Sequence, residues 1–170
     1  MTIYGQQQAF EEGVSAVTAT NTVDVGTRRL EGGREYVYCQ NVSTEDLIPG
    51  RGARLASGGT GYSVEANVTA PATIVGHAPV GFCYNATMAT NTYGWLVSHG
   101  PCPVESYGKS SVAIGDKIFM TESGVVDTHT ALTDISEWGA VICGVARAAL
   151  DTATTGSFLA FVDCRGVSGI

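Results

Sequence analysis

Short apolar runs, each stopped by Gly, Pro or Asn, recur along this chain at a spacing of about ten residues, and that rhythm limits the folds it can adopt. Downstream of residue 61 the runs fall at 62–69, 72–77, 80–86, 93–99, 117–121, 138–147 and 157–163. Each is too short for a stable isolated helix and is enriched in residues that suit a pleated surface. Upstream, Val23, Val25 and Thr27 alternate with Asp24 and Gly26. Glu31-Gly32-Gly33-Arg34 then supplies a turn ahead of Tyr36, Val37, Tyr38 and Cys39, so a β-hairpin is expected there. Twenty-two Gly and few Leu or Lys add to the case against helices. A single helical turn is expected at 131–137, capped by Thr133 or Asp134 before Trp138. The fold class is all-β: a compact β-barrel or β-sandwich with short hairpins and little helix.

The 170 residues suit one domain. Residues 1–20 carry only isolated apolar points, Ile3, Tyr4 and Phe10 among them, and read as an extended N-terminal arm. Residues 21–170 form the β-rich domain, in which 49–61 (PGRGARLASGGTG) reads as a Gly-rich loop. At 44% hydrophobic and 15% charged residues, the chain has enough apolar surface to build a core. Its net charge of −7 disfavours direct binding to nucleic acid. Arg28, Arg29, Arg34, Arg51 and Arg54 stand among Glu31, Glu35, Glu45 and Asp46 in one segment, and they read first as arginines scattered on solvated strands and second as a face suited to an acidic protein partner. The first residues lack the apolar core of a secretory signal, and no run approaches a membrane span, so synthesis in the cytoplasm without membrane association is expected.

Catalytic and metal chemistry find no footing in the spacing of residues. Ser98 and His99 are neighbours on a strand and point to opposite faces, so they cannot act as nucleophile and base. His77 and His129 stand in no metal-ligand pattern, and Cys39, Cys83, Cys102, Cys143 and Cys164 are never closer than 19 residues, so unpaired thiols are expected, with Cys83, Cys143 and Cys164 buried in strand-like apolar runs. Asp116, Glu122 and Asp127 fall around turns, where Asp bonds its own backbone. Gly50-Arg51-Gly52-Ala53-Arg54-Leu55 lacks the third Gly of a dinucleotide fingerprint. The sequons at Asn41, Asn67 and Asn85 read as ordinary strand and turn residues. No enzyme activity and no cofactor are expected.

The most distinctive segment runs from Tyr93-Gly94-Trp95-Leu96-Val97 through Val112-Ala113-Ile114-Gly115-Asp116-Lys117-Ile118 to Ile142-Cys143-Gly144-Val145-Ala146 and Ser157–Cys164. The order of these motifs across roughly residues 75–164 resembles the capsid decoration, or cement, proteins of tailed bacteriophages. Bottom-up, Trp95, Leu96 and Val97 are a core strand, Gly94 admits a close neighbour, Gly115 and Asp116 make a turn, and Gly144 lies in a second strand. The resemblance implies a virion protein on the capsid exterior that binds the major capsid protein, bridges its subunits and self-associates, commonly as a homotrimer. The capsid-binding candidates are Ile3, Tyr4 and Phe10 of the arm, with Arg28, Arg29 and Arg34 of the hairpin. The rival expectation is a carbohydrate- or host-surface-binding module, or another virion component such as a tail part, presenting Tyr36, Tyr38, Tyr62, Tyr84 and Trp138.

Overall fold

The structure, a computed structural model, describes residues 13–56, 61–65, 79–108, 111–121, 124–128, 142–150 and 155–164. Eleven strands account for most of them: β1 (Val17–Thr18), β2 (Arg28–Glu31), β3 (Arg34–Asn41), β4 (Gly52–Leu55), β5 (Ser63–Glu65), β6 (Pro79–Cys83), β7 (Tyr93–Ser106), β8 (Lys117–Met120), β9 (Val126–Thr128), β10 (Ile142–Ala146) and β11 (Gly156–Asp163). The all-β expectation is therefore met. The helical turn expected at 131–137 and the strand at 72–77 lie outside the described residues.

The strands close on themselves through the longest of them. One circuit of ladders runs β7–β6–β4–β5–β3–β7, and the other runs β7–β11–β10–β8–β9–β7. Strand β7 belongs to both, so its first half is buried on two faces. Trp95 and Val97 enter one apolar core with Tyr36, Tyr38, Phe82, Val104, Ile118, Val126, Phe158 and Val162. Leu96 enters the other with Val37, Cys39, Leu47, Val64, Val80, Cys83 and Met88. Strand β3 repeats the division, Tyr36 and Tyr38 on one side and Val37 and Cys39 on the other. This is why 36–39 and 95–97 read as unbroken apolar runs without alternation.

The expected turn and second strand of the hairpin are present, but its first strand is Arg28–Glu31 and not the alternating run 23–27: Glu31 faces Arg34 across Gly32 and Gly33, whose φ values of 57° and 76° suit a two-residue turn of the type that matches strand twist. Strand β7 outruns its expected end at His99. Gly100-Pro101-Cys102-Pro103 suggests a turn, yet pairing with β11 continues to Ser106. Cys164 N donates to Ser98 O, so even-numbered β7 residues bond β11, while Glu105 N, at an odd position, donates to Gly50 O. Pro101 and Pro103 share that odd parity, so their missing N–H groups cost the β11 ladder nothing. Gly100, at φ 116°, lies where a Cβ would meet Gly33 O at 2.9 Å, and there β3 gives way to β11 as the neighbour of β7.

Two further boundaries differ from expectation. The Gly-rich stretch 49–61 contains β4, whose Gly52, Ala53 and Arg54 are buried; small residues mask its alternation, and a Cβ on Gly52 would collide with Met120 and Phe82. At the base of the expected arm, Val17 and Thr18 pair with Gly94 and Tyr93, so the chain joins the sheet before residue 20.

Trp95 is 4% exposed and packs at 5.0 Å between ring centroids against Tyr38, whose hydroxyl shares hydrogen bonds with Thr18 and Thr22. Trp95→Ala is expected to cost about 3–5 kcal/mol, the range for truncating a large buried aromatic. Chemical denaturation followed by circular dichroism checks this; a cost below about 1 kcal/mol would contradict the shared-core packing.

Candidate partner-binding surface

Strand β11 carries large apolar side chains on both faces. Phe158, Ala160 and Val162 point into the core, while Leu159 and Phe161 point outward and are 43% and 37% exposed. Neighbouring strands extend the outward face. Val145 of β10 stands opposite Phe161 and Lys117 of β8 stands opposite Val145, whereas on the other side β7 sets Pro101 against Phe161 and Pro103 against Leu159. A band of Val145, Leu159, Phe161, Pro101 and Pro103 thus crosses three strands. A register shift between Ile142 and Gly144 turns Cys143 inward and leaves Ile142, at 47% exposure, on the surface beside that band. Gly144 is what lets β10 approach: a Cβ there would meet Phe161 O at 2.4 Å.

One end of the band is polar. The His99 ring meets Phe161 edge to face at 4.9 Å between centroids, and His99 Nδ1 lies 3.5 Å from Asp163 Oδ1. Exposed Lys117 and Arg147 edge the β10 side. An apolar centre with a charged margin is the ordinary composition of a protein interaction surface.

The residues expected to bind are disposed differently. Ile3, Tyr4 and Phe10 lie outside the described residues. Arg28 pairs with Glu35 and bonds Tyr62, Arg29 pairs with Glu31, and Arg34 places its guanidinium 4.3 Å over the Tyr84 ring while Nε donates to Pro101 O at 2.6 Å. The hairpin arginines are thus engaged within the chain. Arg51 pairs with Glu105, and buried Arg54 donates to Met120 O. An arginine-rich segment in sequence becomes a set of internal struts rather than a uniform positive face.

Residues read as structural occupy structural positions. Gly94 admits the Met88 side chain, since a Cβ there would come within 3.1 Å of it. Gly115, at φ 96°, shapes the turn from Ala113, where Asp116 Oδ2 accepts from Ala113 N and Asp116 O accepts from Ala146 N. Ser98 Oγ donates to Glu35 O on the face opposite His99, so the two do not meet. Asn41 is fully buried. Its amide donates to Glu45 O and Met88 O and its Oδ1 accepts from Ser43, which makes it the organiser of a loop. Tyr36 and Tyr38, named for the glycan-binding alternative, are buried, Tyr84 lies beneath Arg34, and Trp138 is outside the described residues.

The outward band escaped the reading of the sequence, although a signal was present. Phe158-Leu159-Ala160-Phe161-Val162 is apolar at every position, more than a strand with one wet face requires.

No family model matches the chain, and no curated protein matches it. A solved structure of the head fiber gp8.5 N base in bacteriophage phi29 aligns with it at 10% sequence identity and a TM-score of 0.47, covering 75% of this chain and 94% of that one.

All five cysteines are free and buried. Burial pushes the Cys83 thiol up to about 11 and those of Cys102 and Cys143 up to about 12, and raises Cys39 and Cys164 as well. A thiol raised in the folded state stays protonated after its unfolded counterpart ionises. Stability is therefore fully present below the unfolded pKa of about 8.5 and declines above it, by up to about 1.4 kcal/mol per thiol per pH unit, until the folded thiols ionise. Urea midpoints at pH 8 and pH 10 are expected to fall accordingly, and a thiol reagent at pH 8 should label five groups in denaturant but few in the native protein. Rapid native labelling would contradict the buried assignment.

Proposed function

We propose that this chain is a structural component of a tailed-bacteriophage virion that binds the outer surface of the assembled capsid and stabilises it by bridging major capsid subunits. The observation that carries the reading is the apolar band across β10, β11 and β7, displayed on a sheet whose other face is a packed core. Such a band costs solubility on a free monomer and is retained where a partner covers it. The order of motifs over residues 75–164, which resembles the decoration proteins, supports the capsid as that partner.

The mechanism follows from linkage. A protein that binds assembled shells and not dissociated subunits stabilises the shell by mass action, increasingly so as its concentration exceeds the dissociation constant. Rigidity matters here because a preordered surface loses little conformational entropy on docking. Phe161 and Leu159 are the anchors, since a partner can bury their remaining exposed area without unfolding anything. The arm residues Ile3, Tyr4 and Phe10 offer a second contact.

Co-sedimentation with undecorated capsids tests this reading. The double variant Leu159→Ser with Phe161→Ser is expected to melt within a few degrees of the parent, because both side chains face outward, and to lose at least about tenfold in capsid affinity, as removal of two interface anchors should. Removal of residues 2–10 reports separately on the arm. Full capsid occupancy by the double variant would contradict the proposed contact.

A further inference from the structure

Strand β2 keeps one side open: among the described residues it pairs with β3 alone. The direction of its backbone groups follows from the ladder. Tyr38 N donates to Thr27 O, and Arg29 and Glu31 share that odd parity opposite Tyr36 and Arg34, so odd-numbered residues direct N–H and C=O toward β3. Arg28 and Leu30 direct theirs to the open side. Leu30 is also 81% exposed, the highest value among the described large apolar residues.

The side chains around Leu30 complement themselves. Arg29 and Glu31 flank it on one face of the strand and pair with each other within the chain. Reversing the strand direction exchanges their positions, so an antiparallel copy with Leu30 opposite Leu30 sets each Arg29 against a Glu31.

We infer that β2 is a self-association edge, joining β2 of a second copy about a two-fold axis that passes between the two Leu30 residues. In this register Leu30 N–H and C=O exchange two hydrogen bonds with Leu30 of the partner subunit. Arg29 faces Glu31 of the partner subunit, and Glu31 faces Arg29 of the partner subunit. The two leucines meet on the other face of the extended sheet. A slip of one residue sets the open-side groups of one copy against the inward-directed groups of the other, and no ladder forms. Such an isologous contact closes as a dimer. Edge strands elsewhere are blunted by charge of one sign or by proline; here the charges are of opposite sign and disposed symmetrically about an apolar residue. That symmetry favours a copy of this chain over an unrelated strand as the occupant.

The test uses the full chain. Sedimentation equilibrium from micromolar to millimolar concentration is expected to show a monomer–dimer equilibrium. Leu30→Lys should weaken it at least about tenfold by placing like charges directly opposite. Arg29→Glu alone should weaken it similarly, and Arg29→Glu combined with Glu31→Arg should restore it. A geometric readout stands beside these. Facing residues of a hydrogen-bonded antiparallel pair have Cα atoms about 5.5 Å apart, within disulfide reach, so Leu30→Cys should cross-link under mild oxidation while Arg28→Cys, whose copies are offset along the strands, should not. The native cysteines are buried and add little background. A monomer at every concentration, a trimer mass, a dimer unaffected by Leu30→Lys, or equal cross-linking at positions 28 and 30 would each overturn the inference.

Discussion

The double burial of β7 is the constraint on which the other elements of this protein depend. Between Gly94 and Ser98 the strand separates two apolar cores, and over its second half it supplies one wall of the larger core while β11 covers its edge. A strand in that position needs apolar side chains at successive residues, and Trp95-Leu96-Val97 meets the need. It also needs neighbours that approach closely. A Cβ on Gly81 would stand 2.8 Å from Val97 O, and Gly94 makes room for Met88 in the same way. The cores, the closure of the two circuits and the placement of the outer band all follow from where β7 runs.

That geometry also sets the surfaces available for interaction. The apolar band on β10, β11 and β7 is backed by the larger core, whereas β2 attaches to β3 at the other end of the strand order. The hairpin that carries β2 reaches one margin of the band, where Arg34 Nε donates to Pro101 O. Arg28 and Arg34, which invite an electrostatic reading, serve the monomer: the Arg28–Glu35 pair is partly exposed and contributes at most about 1 kcal/mol, and Arg34 ties Tyr84 to the β7 backbone.

Much of the fold was legible in the sequence because short β-type runs and glycine turns report local conformation directly. The β2–β3 hairpin follows from Gly32 and Gly33, and the core position of Trp95 follows from its run. Long-range pairing was less legible. Nothing local in Gly52-Ala53-Arg54-Leu55 announces a strand, because its alternation is written in small residues and a buried arginine. The continuation of β7 past Pro101 depends on which side of the strand each proline nitrogen faces, and β11 decides that from about sixty residues away. The candidate surface was hidden for a related reason: an apolar residue assigned to a strand is assumed to be core until the register shows that Leu159 and Phe161 point outward. Cys83, Cys143 and Cys164, by contrast, were readable as small buried hydrophobes from their apolar runs.

If β7 joins the two cores, neither circuit can open while the other stays intact. Native-state hydrogen exchange, followed residue by residue as denaturant is raised below the unfolding transition, measures this directly. The slowest amides of β3, β7 and β11 are expected to converge on one opening free energy equal to that of global unfolding. Opening of β10 and β11 at a distinctly lower free energy, with β3 and the first half of β7 still protected, would contradict it.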